Sequence, residues 1–471
     1  MAEPFAAFAT PRALPPTATR TLEASDEASG GAPPLGVAEA SADWVRSLAA
    51  ALAEAGGALR ARPAAEVARA LGRVGARFLD SADELRARAL ALLPAASGLS
   101  PAVSEAVLDG MAADWTEERL LRLLDVELGG PAALDGFIRR EGREQAAFGP
   151  RLCVQVVAGS VPGVGVSALL RSLLLKAPTL LKPGRGDVVL PVLWARALRE
   201  ADPALADALA VVYWKGGSVE LEEAALSSAD VVVAYGSDAT VRALRARAPA
   251  TARFVGYAHR VSVGVIGREA LGATEAREAA RVVAHAVAIL EQRGCVSPRV
   301  IHVEEGGETP PQAFAELLAT ALEETEARLP GPPLELAERT ALRQLRDTAE
   351  LLAASDPERT RVRHGGSASW TVVYQAGAER ALDGPGRLVL VRPVSDARDL
   401  TERLAPLATP LQTVGFAGMG ARTEEVARAL GALGASRVVP FEAGPFPPAW
   451  WHHDGRGPLL DLVRWTDLER A

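Results

Sequence analysis

The chain reads as an α/β protein, and three features of the sequence carry that reading. From Leu152 onward, short β-branched runs alternate with stretches of helical apolar spacing. A region of sustained helical periodicity precedes them, and the turns after the runs collect Gly, Pro, Ser and charged residues. Such alternation predicts a mostly parallel sheet with helices on both faces, whose ligands bind where the carboxyl ends of strands meet their turns. With 471 residues, and about 150 residues per domain, two or three domains are expected.

Residues 1–40 are rich in Ala, Pro, Ser, Thr and Gly without a sustained period. That composition buries too little apolar surface to offset its ordering entropy, so a flexible tail is expected there. A helical region is expected over 41–150, where Trp44, Leu48, Leu52 and Leu59, then Val67, Leu71, Val74 and Phe78, recur at helical spacings. The runs Leu152–Val157, Thr179–Lys182, Leu209–Trp214, Val231–Ala234 and Val261–Ile266 form a first α/β unit over 151–290, with helices from Ser167, Val188, Asp238 and Thr274. A second unit over 291–440 has strands at Arg299–Val303, Ser369–Tyr374, Leu388–Arg392 and Gln412–Ala417. Its helices are expected near Gln312–Arg328, Leu334–Ala353 and Glu424–Leu433, and an aromatic, turn-rich segment closes the chain over 441–471.

Composition excludes several function classes. A net charge of −8 without a basic cluster argues against a nucleic-acid partner. Two cysteines, Cys153 and Cys295, exclude a disulfide scaffold and a multi-cysteine metal site. The six histidines form no helical pair with a carboxylate, so no metal is expected. The longest apolar stretch, Val166 to Leu181, is interrupted by Arg171 and Lys176 and is too short to span a bilayer. The N-terminus has no charged-then-apolar leader, and a cytoplasmic protein is expected. Of 51 basic residues only Lys176, Lys182 and Lys215 are lysines; codon bias toward Arg explains the ratio, and each Lys is a candidate for a place where a compact ammonium does what a guanidinium cannot.

The turns hold the candidate chemistry. Gly163 to Ala168 mimics a dinucleotide-binding glycine fingerprint, although no acidic residue follows at the spacing of about 20 that the fingerprint needs. Lys182-Pro183-Gly184-Arg185 ends the second run, and reads either as a ribose and phosphate contact or as a solvated turn. Gly236 and Ser237 stand before a helix N-terminus that favours an anion, and capping alone also explains them. Cys153 lies inside an apolar strand and reads as inert. Cys295, flanked by Gly294 and Pro298 in a turn, reads as a nucleophile. His259 follows a strand end, whereas His285 and His302 sit in a helix and a strand and read as structural.

In order and separation these turns resemble the aldehyde dehydrogenase superfamily, and within it the long-chain acyl-CoA reductases of the bacterial luminescence type. The likeness runs from about Trp44 to Trp465. It is carried by Gln292 to Pro298, Tyr257 to Ser262, Trp451 to Arg456, and the strand-turn-helix Val156 to Leu175 with Leu181-Lys182-Pro183.

The resemblance implies an aldehyde dehydrogenase-like fold: a Rossmann-type cofactor domain over 151–290 and an α/β catalytic domain over 291–440. It implies that Cys295 attacks an acyl thioester, that hydride from NADPH reduces the acyl-cysteine to an aldehyde, and that the Cys295 amide and Ser160 hold the oxyanion. The family carries Asn where this chain has Ser160, a donor of shorter reach. Hydrolytic relatives carry a water-activating Glu where this chain has Val255 to Arg260 without a carboxylate, which favours reduction over oxidation to the acid. His259 is the titratable group nearest that place. Lys182 would hold the adenosine ribose, Gly236 and Ser237 would lie at the pyrophosphate, and Arg185 would welcome a 2′-phosphate. Acyl-CoA or a carrier-bound acyl group is the expected donor. A homo-oligomer is expected, with an acyl-activating synthetase and an acyltransferase as companions. The competing readings are an aldehyde-oxidising dehydrogenase and a non-reducing acyl-transfer or scaffold protein.

Overall fold

A computed structural model describes residues 4–22, 34–140, 142–366, 370–377, 384–407 and 410–470. The chain divides into two compact units, Met1–Ala258 with Pro448–Ala471, and His259–Pro447.

The first unit opens with strands, which corrects the tail expected over 1–40. β1 (Phe5–Ala6) pairs parallel with β3 (Leu35–Ala38), and β2 (Thr19–Leu22) pairs antiparallel with β3. Residues 1–3 and 23–33 of that expected tail lie outside the described residues. Phe5, Ala7 and Val37 are buried in the main core of the unit, and the Arg196 guanidinium lies 4.9 Å from the Phe5 ring centroid. A preformed core thus supplies the burial that the composition of the segment alone cannot. Ala9 bonds Val211 in both directions, at 3.0 and 2.7 Å, and so covers the edge of the main sheet.

Five helices follow: α1 (Ala42–Ala61), α2 (Ala64–Ala76), α3 (Glu84–Ser97), α4 (Pro101–Ala112) and α5 (Glu117–Leu128). Ser41, Asp83, Ser100 and Thr116 cap α1, α3, α4 and α5 through their side chains, and the predicted stripe residues Leu48, Leu52, Leu71 and Phe78 are fully buried. The helical region ends earlier than the expected residue 150. A hairpin of β4 (Ile138–Arg140) and β5 (Arg143–Phe148) turns at Gly142, whose φ is 81°. Its third strand, Arg464–Leu468, lies more than 300 residues further along, so no local pattern signals the pairing.

The main sheet of this unit is all parallel, in the order β10-β9-β6-β7-β8. Its strands and helices run β6 (Cys153–Val156), α6 (Val164–Leu174), β7 (Thr179–Lys182), α7 (Val189–Ala201), α8 (Pro203–Ala206), β8 (Leu209–Val211), α9 (Val219–Leu226), β9 (Val231–Tyr235), α10 (Asp238–Arg247) and β10 (Arg253–Tyr257). Alternation along the strands feeds two cores. Cys153, Leu181 and Val233 face α6 and α7, while Val154, Leu180 and Val232 face α1, α9 and α10.

β11 (Val261–Ile266), expected to continue that sheet, is instead a central strand of the second unit. Only Ala258, His259 and Arg260 separate it from β10. A return to the same sheet as a parallel strand needs a crossover of a dozen or more residues, so this three-residue link cannot add β11 to that all-parallel sheet in the same sense. The second unit continues with α11 (Glu275–Ala288), β12 (Pro298–Glu304), α12 (Pro311–Arg328), α13 (Leu336–Ser355), β13 (Thr360–His364), β14 (Trp370–Gln375), β15 (Arg387–Val394), α14 (Ala397–Leu404), β16 (Leu411–Ala417), α15 (Thr423–Ala432) and β17 (Arg437–Pro440). Ser369, the first residue of one expected strand, lies outside the described residues. The sheet order is β13-β14-β15-β12-β11-β16-β17, with only the β13–β14 pair antiparallel. α11 and α12 cover one face over Ile266, Ile301 and Val389; α14 and α15 cover the other over Val263, Val265 and Val414. The chain then returns to the first unit with β18 (Arg464–Leu468), the third strand beside β5.

Candidate active site

In the first unit the sheet itself gathers the turns. β6 lies between β7 and β9, with Val156 opposite Lys182 on one side and Ala234 on the other. The turns that follow these three strands, which hold Ser160, Arg185 just past Lys182 at the end of β7, and Gly236 with Ser237, are therefore neighbours at one edge. Two of them touch backbone to backbone. A Cβ on Gly184 would fall 2.1 Å from the Gly159 nitrogen, and one on Gly186 would fall 2.2 Å from the Gly159 oxygen, so only glycine fits.

Lys182 is only 8% exposed, and its ammonium sits 5.6 Å from the Tyr213 ring centroid. Burial lowers its pKa, and the charge of Glu222 partly opposes that shift. Among the described residues no carboxylate forms an ion pair with it. A buried ammonium at a strand end with no carboxylate partner suits a ligand hydroxyl, so the residues present fit a dinucleotide ribose. Arg185 and Ser160 are exposed. Ser237 caps α10, its hydroxyl accepting from the Thr240 amide at 3.2 Å, and the Gly236 amide donates to the Tyr257 carbonyl at 3.1 Å.

The glycine fingerprint has a different use. The amides of Gly163 and Gly165, at the N-terminus of α6, donate to the two carboxylate oxygens of Asp187 at 2.7 and 2.6 Å. Asp187 is fully buried, and burial pushes its carboxyl up to about 7 against the pull of those amides. The protein supplies its own carboxyl group at this helix end, and the same bonds tie the Arg185 turn to α6. Nothing in the sequence separates Asp187 from an ordinary turn aspartate.

The C-terminal motif forms a ring stack in this unit. Tyr235 and Tyr257 are 4.6 Å apart between centroids, Tyr257 and His453 4.2 Å, and His453 and Trp451 4.6 Å, while Arg171 donates to the Tyr235 hydroxyl at 3.2 Å. Trp451 and His453 thereby dock the end of the chain on strands β9 and β10.

In the second unit, His259 and Cys295 precede the adjacent strands β11 and β12, and so share the amino edge of that sheet. Both are exposed. The Ser262 hydroxyl donates to the Cys295 carbonyl and accepts from the Thr413 amide at 3.2 Å. The Gln292 side-chain amide donates to Pro298 and Leu388 carbonyls at 2.9 and 2.8 Å, which closes the loop on either side of Cys295. Cys153 differs in every respect: it is fully buried in β6, and burial pushes its thiol up to about 12, out of reach of ionisation at neutral pH. His302 is buried and its imidazole is pushed down to about 3, first by burial and then by the charge of Arg392. Among the described residues no group of three His, Cys, Asp or Glu side chains is placed to hold a metal ion, and no single helix is long and apolar enough to cross a membrane.

Comparison with known proteins gives the family and the fold. The family model described as acyl-CoA reductase (LuxC) matches residues 61–465. A long-chain acyl-protein thioester reductase 2 from Photobacterium leiognathi is 24% identical over 320 residues, which cover 67% of this chain and 64% of that protein. A long-chain acyl-protein thioester reductase from Aliivibrio fischeri is 25% identical over 361 residues, covering 75% and 71%. Among solved structures, an NAD-dependent benzaldehyde dehydrogenase from Corynebacterium glutamicum superposes with a TM-score of 0.72 at 14% identity, over 96% of each chain. A lactaldehyde dehydrogenase from Escherichia coli gives 0.70 at 14% identity, again over 96% of each. At such identities the structures establish the aldehyde dehydrogenase-like fold and nothing further.

Proposed function

Because the chain belongs to the acyl-CoA reductase (LuxC) family, we propose that it reduces an acyl thioester to the aldehyde through an acyl-cysteine on Cys295. The observation that carries this reading is the contrast between its thiols: Cys295 is exposed in a loop pinned on both sides, and Cys153 is sealed in the core. The names of the relatives bring a long-chain acyl group, carried as a protein thioester, into the reading beside acyl-CoA.

In this mechanism the Cys295 thiolate attacks the thioester carbonyl. A new C–S bond forms, the bond to the donor thiol breaks, and that thiol leaves as its thiolate and takes up a proton. The Cys295 amide and the Ser160 hydroxyl are assigned to the oxyanion, and His259 to proton transfer. Lys182, Arg185, Gly236 and Ser237 are assigned to a reduced nicotinamide dinucleotide, which when bound supplies hydride. Arg185 in the turn beside Lys182 favours the 2′-phosphate, hence NADPH. The first unit then serves as cofactor domain and the second carries the nucleophile. The absence of a carboxylate from Val255 to Arg260 leaves water without a positioned base, which favours reduction over oxidation to the acid. A cytoplasmic homo-oligomer served by an acyl-activating synthetase and an acyltransferase completes the proposal.

A single-turnover experiment tests it. Protein incubated with labelled acyl-CoA should carry the label on Cys295, and NADPH should release it as aldehyde. Cys295→Ala should lose label and turnover by at least about a thousandfold, the scale of losing a covalent nucleophile. Full turnover in that variant sinks the proposal, and label that NADPH does not release turns it into an acyltransferase.

A further inference from the structure

We propose that Arg387 is a positioning residue for the nucleophile loop, acting through Glu291 to hold Cys295 in its attacking place. The inference rests on Cys295 being the nucleophile. Arg387 opens β15 and is 1% exposed. Its guanidinium grips the Glu291 carboxylate with two prongs, Nε at 3.1 Å and Nη2. It also donates to Glu326 of α12 at 2.7 Å and to the Leu329 carbonyl at 2.7 Å.

Glu291 stands four residues before Cys295. Glu291 and Gln292 have φ of 51° and 50°, two successive side-chain-bearing residues in the left-handed region. Such a pair is disfavoured by its own sterics and persists only where the surroundings over-determine it. The start of β15 provides that determination twice: the Arg387 side chain holds Glu291, and the Leu388 carbonyl holds the side-chain amide of Gln292. Gln292 in turn reaches Pro298, past Cys295, so the path of the loop is fixed from β15 at its start and closed at its end.

Filling space does not explain this arrangement. A buried arginine with two carboxylates stabilises a core little better than apolar side chains of the same volume. What it adds is direction, because the planar fork fixes where the Glu291 backbone lies.

The test compares Arg387→Met, Arg387→Lys and Glu291→Gln with the parent protein, each checked for a cooperative thermal melt. The readouts are the iodoacetamide alkylation rate of Cys295 from pH 6 to 10 and the kcat and KM for acyl-CoA with NADPH. In Arg387→Met, the alkylation rate of Cys295 and kcat should fall about tenfold to a hundredfold, the scale of a misplaced reacting group, with both KM values little changed. Arg387→Lys, which keeps the charge and loses the fork, should recover only part of that loss. Glu291→Gln should move the same parameters in the same direction, and the Glu291→Gln, Arg387→Met pair should lose no more than Arg387→Met alone, since both remove one contact. Folded variants with parental kcat and alkylation profile overturn the proposal. If Arg387→Met does not fold, Arg387→Lys and Glu291→Gln decide by the same criteria. Cys295→Ala separates this claim from its premise. If that variant still takes up acyl label, Cys295 is not the nucleophile. If label is on Cys295 and the Arg387 and Glu291 variants are unaffected, only the positioning claim fails.

Discussion

The two sheets put their candidate chemistry at opposite ends. In the first unit Lys182 ends β7 and Ser160, Arg185, Gly236 and Ser237 follow strands, at the carboxyl edge where the ligands of parallel sheets bind. In the second unit His259 and Cys295 precede strands, at the amino edge. The carboxyl edge of the second sheet is filled by charges. Glu304, at the end of β12, accepts from Arg422 and from the Arg268 amide at 2.9 Å, and Arg422 also holds Glu269 at 2.7 Å. The strand-end rule therefore picks out the residues proposed for the cofactor and passes over Cys295, because the carboxyl edge of the second sheet carries the Glu304, Arg422 and Glu269 cluster.

The largest effect expected from this comparison tests whether that charged edge is structural. Glu304 is 3% exposed, and burial pushes its carboxyl up while the bonds from Arg422 and Arg268 outweigh burial and hold it below the usual range. Arg422→Met removes its main partner and should cost about 3 kcal/mol in denaturant unfolding, the low end for breaking a buried pair because Arg268 remains. The kcat/KM of the folded variant should be unchanged. A loss of activity without a loss of stability would bring the second carboxyl edge into the chemistry and break the comparison.

The next effect has the opposite sign with pH. The depressed Glu304 carboxyl contributes stability that is present above its unfolded pKa and lost as pH falls. Asp187 has a carboxyl raised to about 7 from an ordinary value of 3.8, so the folded state binds its proton more tightly than the unfolded chain. Its contribution is complete below about pH 4 and lost as pH rises through 7. Asp187→Asn, which cannot accept from both amides of α6, should cost about 1–3 kcal/mol, the range for a buried donor left unmet. The gap in Tm between parent and variant should narrow from pH 5 to pH 8. A gap that widens over that range would mean that the two amides outweigh burial, and that Asp187 is a permanent anion.

How much of this was legible in the sequence depends on the distance over which each feature is encoded. The alternation of runs and helices, the stripe of Leu48, Leu52, Leu71 and Phe78, and the turn setting of Cys295 are local, and the sequence states them. The β5–β18 pairing and the Glu291–Arg387 contact join residues 316 and 96 positions apart at their nearest, and no neighbouring residue marks them. The scarcity of lysine does not by itself say what each lysine does. Lys176, in a left-handed turn with φ of 55°, places its ammonium on the Asp135 carboxylate and the Leu134 carbonyl. Lys182 is buried and among the described residues forms no ion pair with a carboxylate, and Lys215 lies in an exposed turn. Two of the three lysines are buried, and only their surroundings distinguish them: Lys176 meets a carboxylate, and Lys182 lies beside the Tyr213 ring.

The smallest effect sharpens the first edge most finely, because it separates two charges three residues apart. Lys182 is buried in β7, and a ribose hydroxyl is common to both nicotinamide dinucleotides, so Lys182→Ala should raise the KM for NADPH and NADH alike. Arg185 is exposed in the turn beyond, where replacement disturbs no core. Arg185→Glu should therefore raise the KM for NADPH by about tenfold or more and leave that for NADH within about twofold, the difference between attracting and repelling one phosphate. Because the charge faces solvent, the discrimination should shrink at high salt, as the screening length falls from about 10 Å at 0.1 M towards 3 Å at 1 M. Equal effects on the two dinucleotides would remove Arg185 from cofactor choice while leaving Lys182 in place. Discrimination that persists undiminished at 1 M salt would instead require the phosphate to be held in a site shielded from solvent, which an exposed Arg185 does not provide on its own.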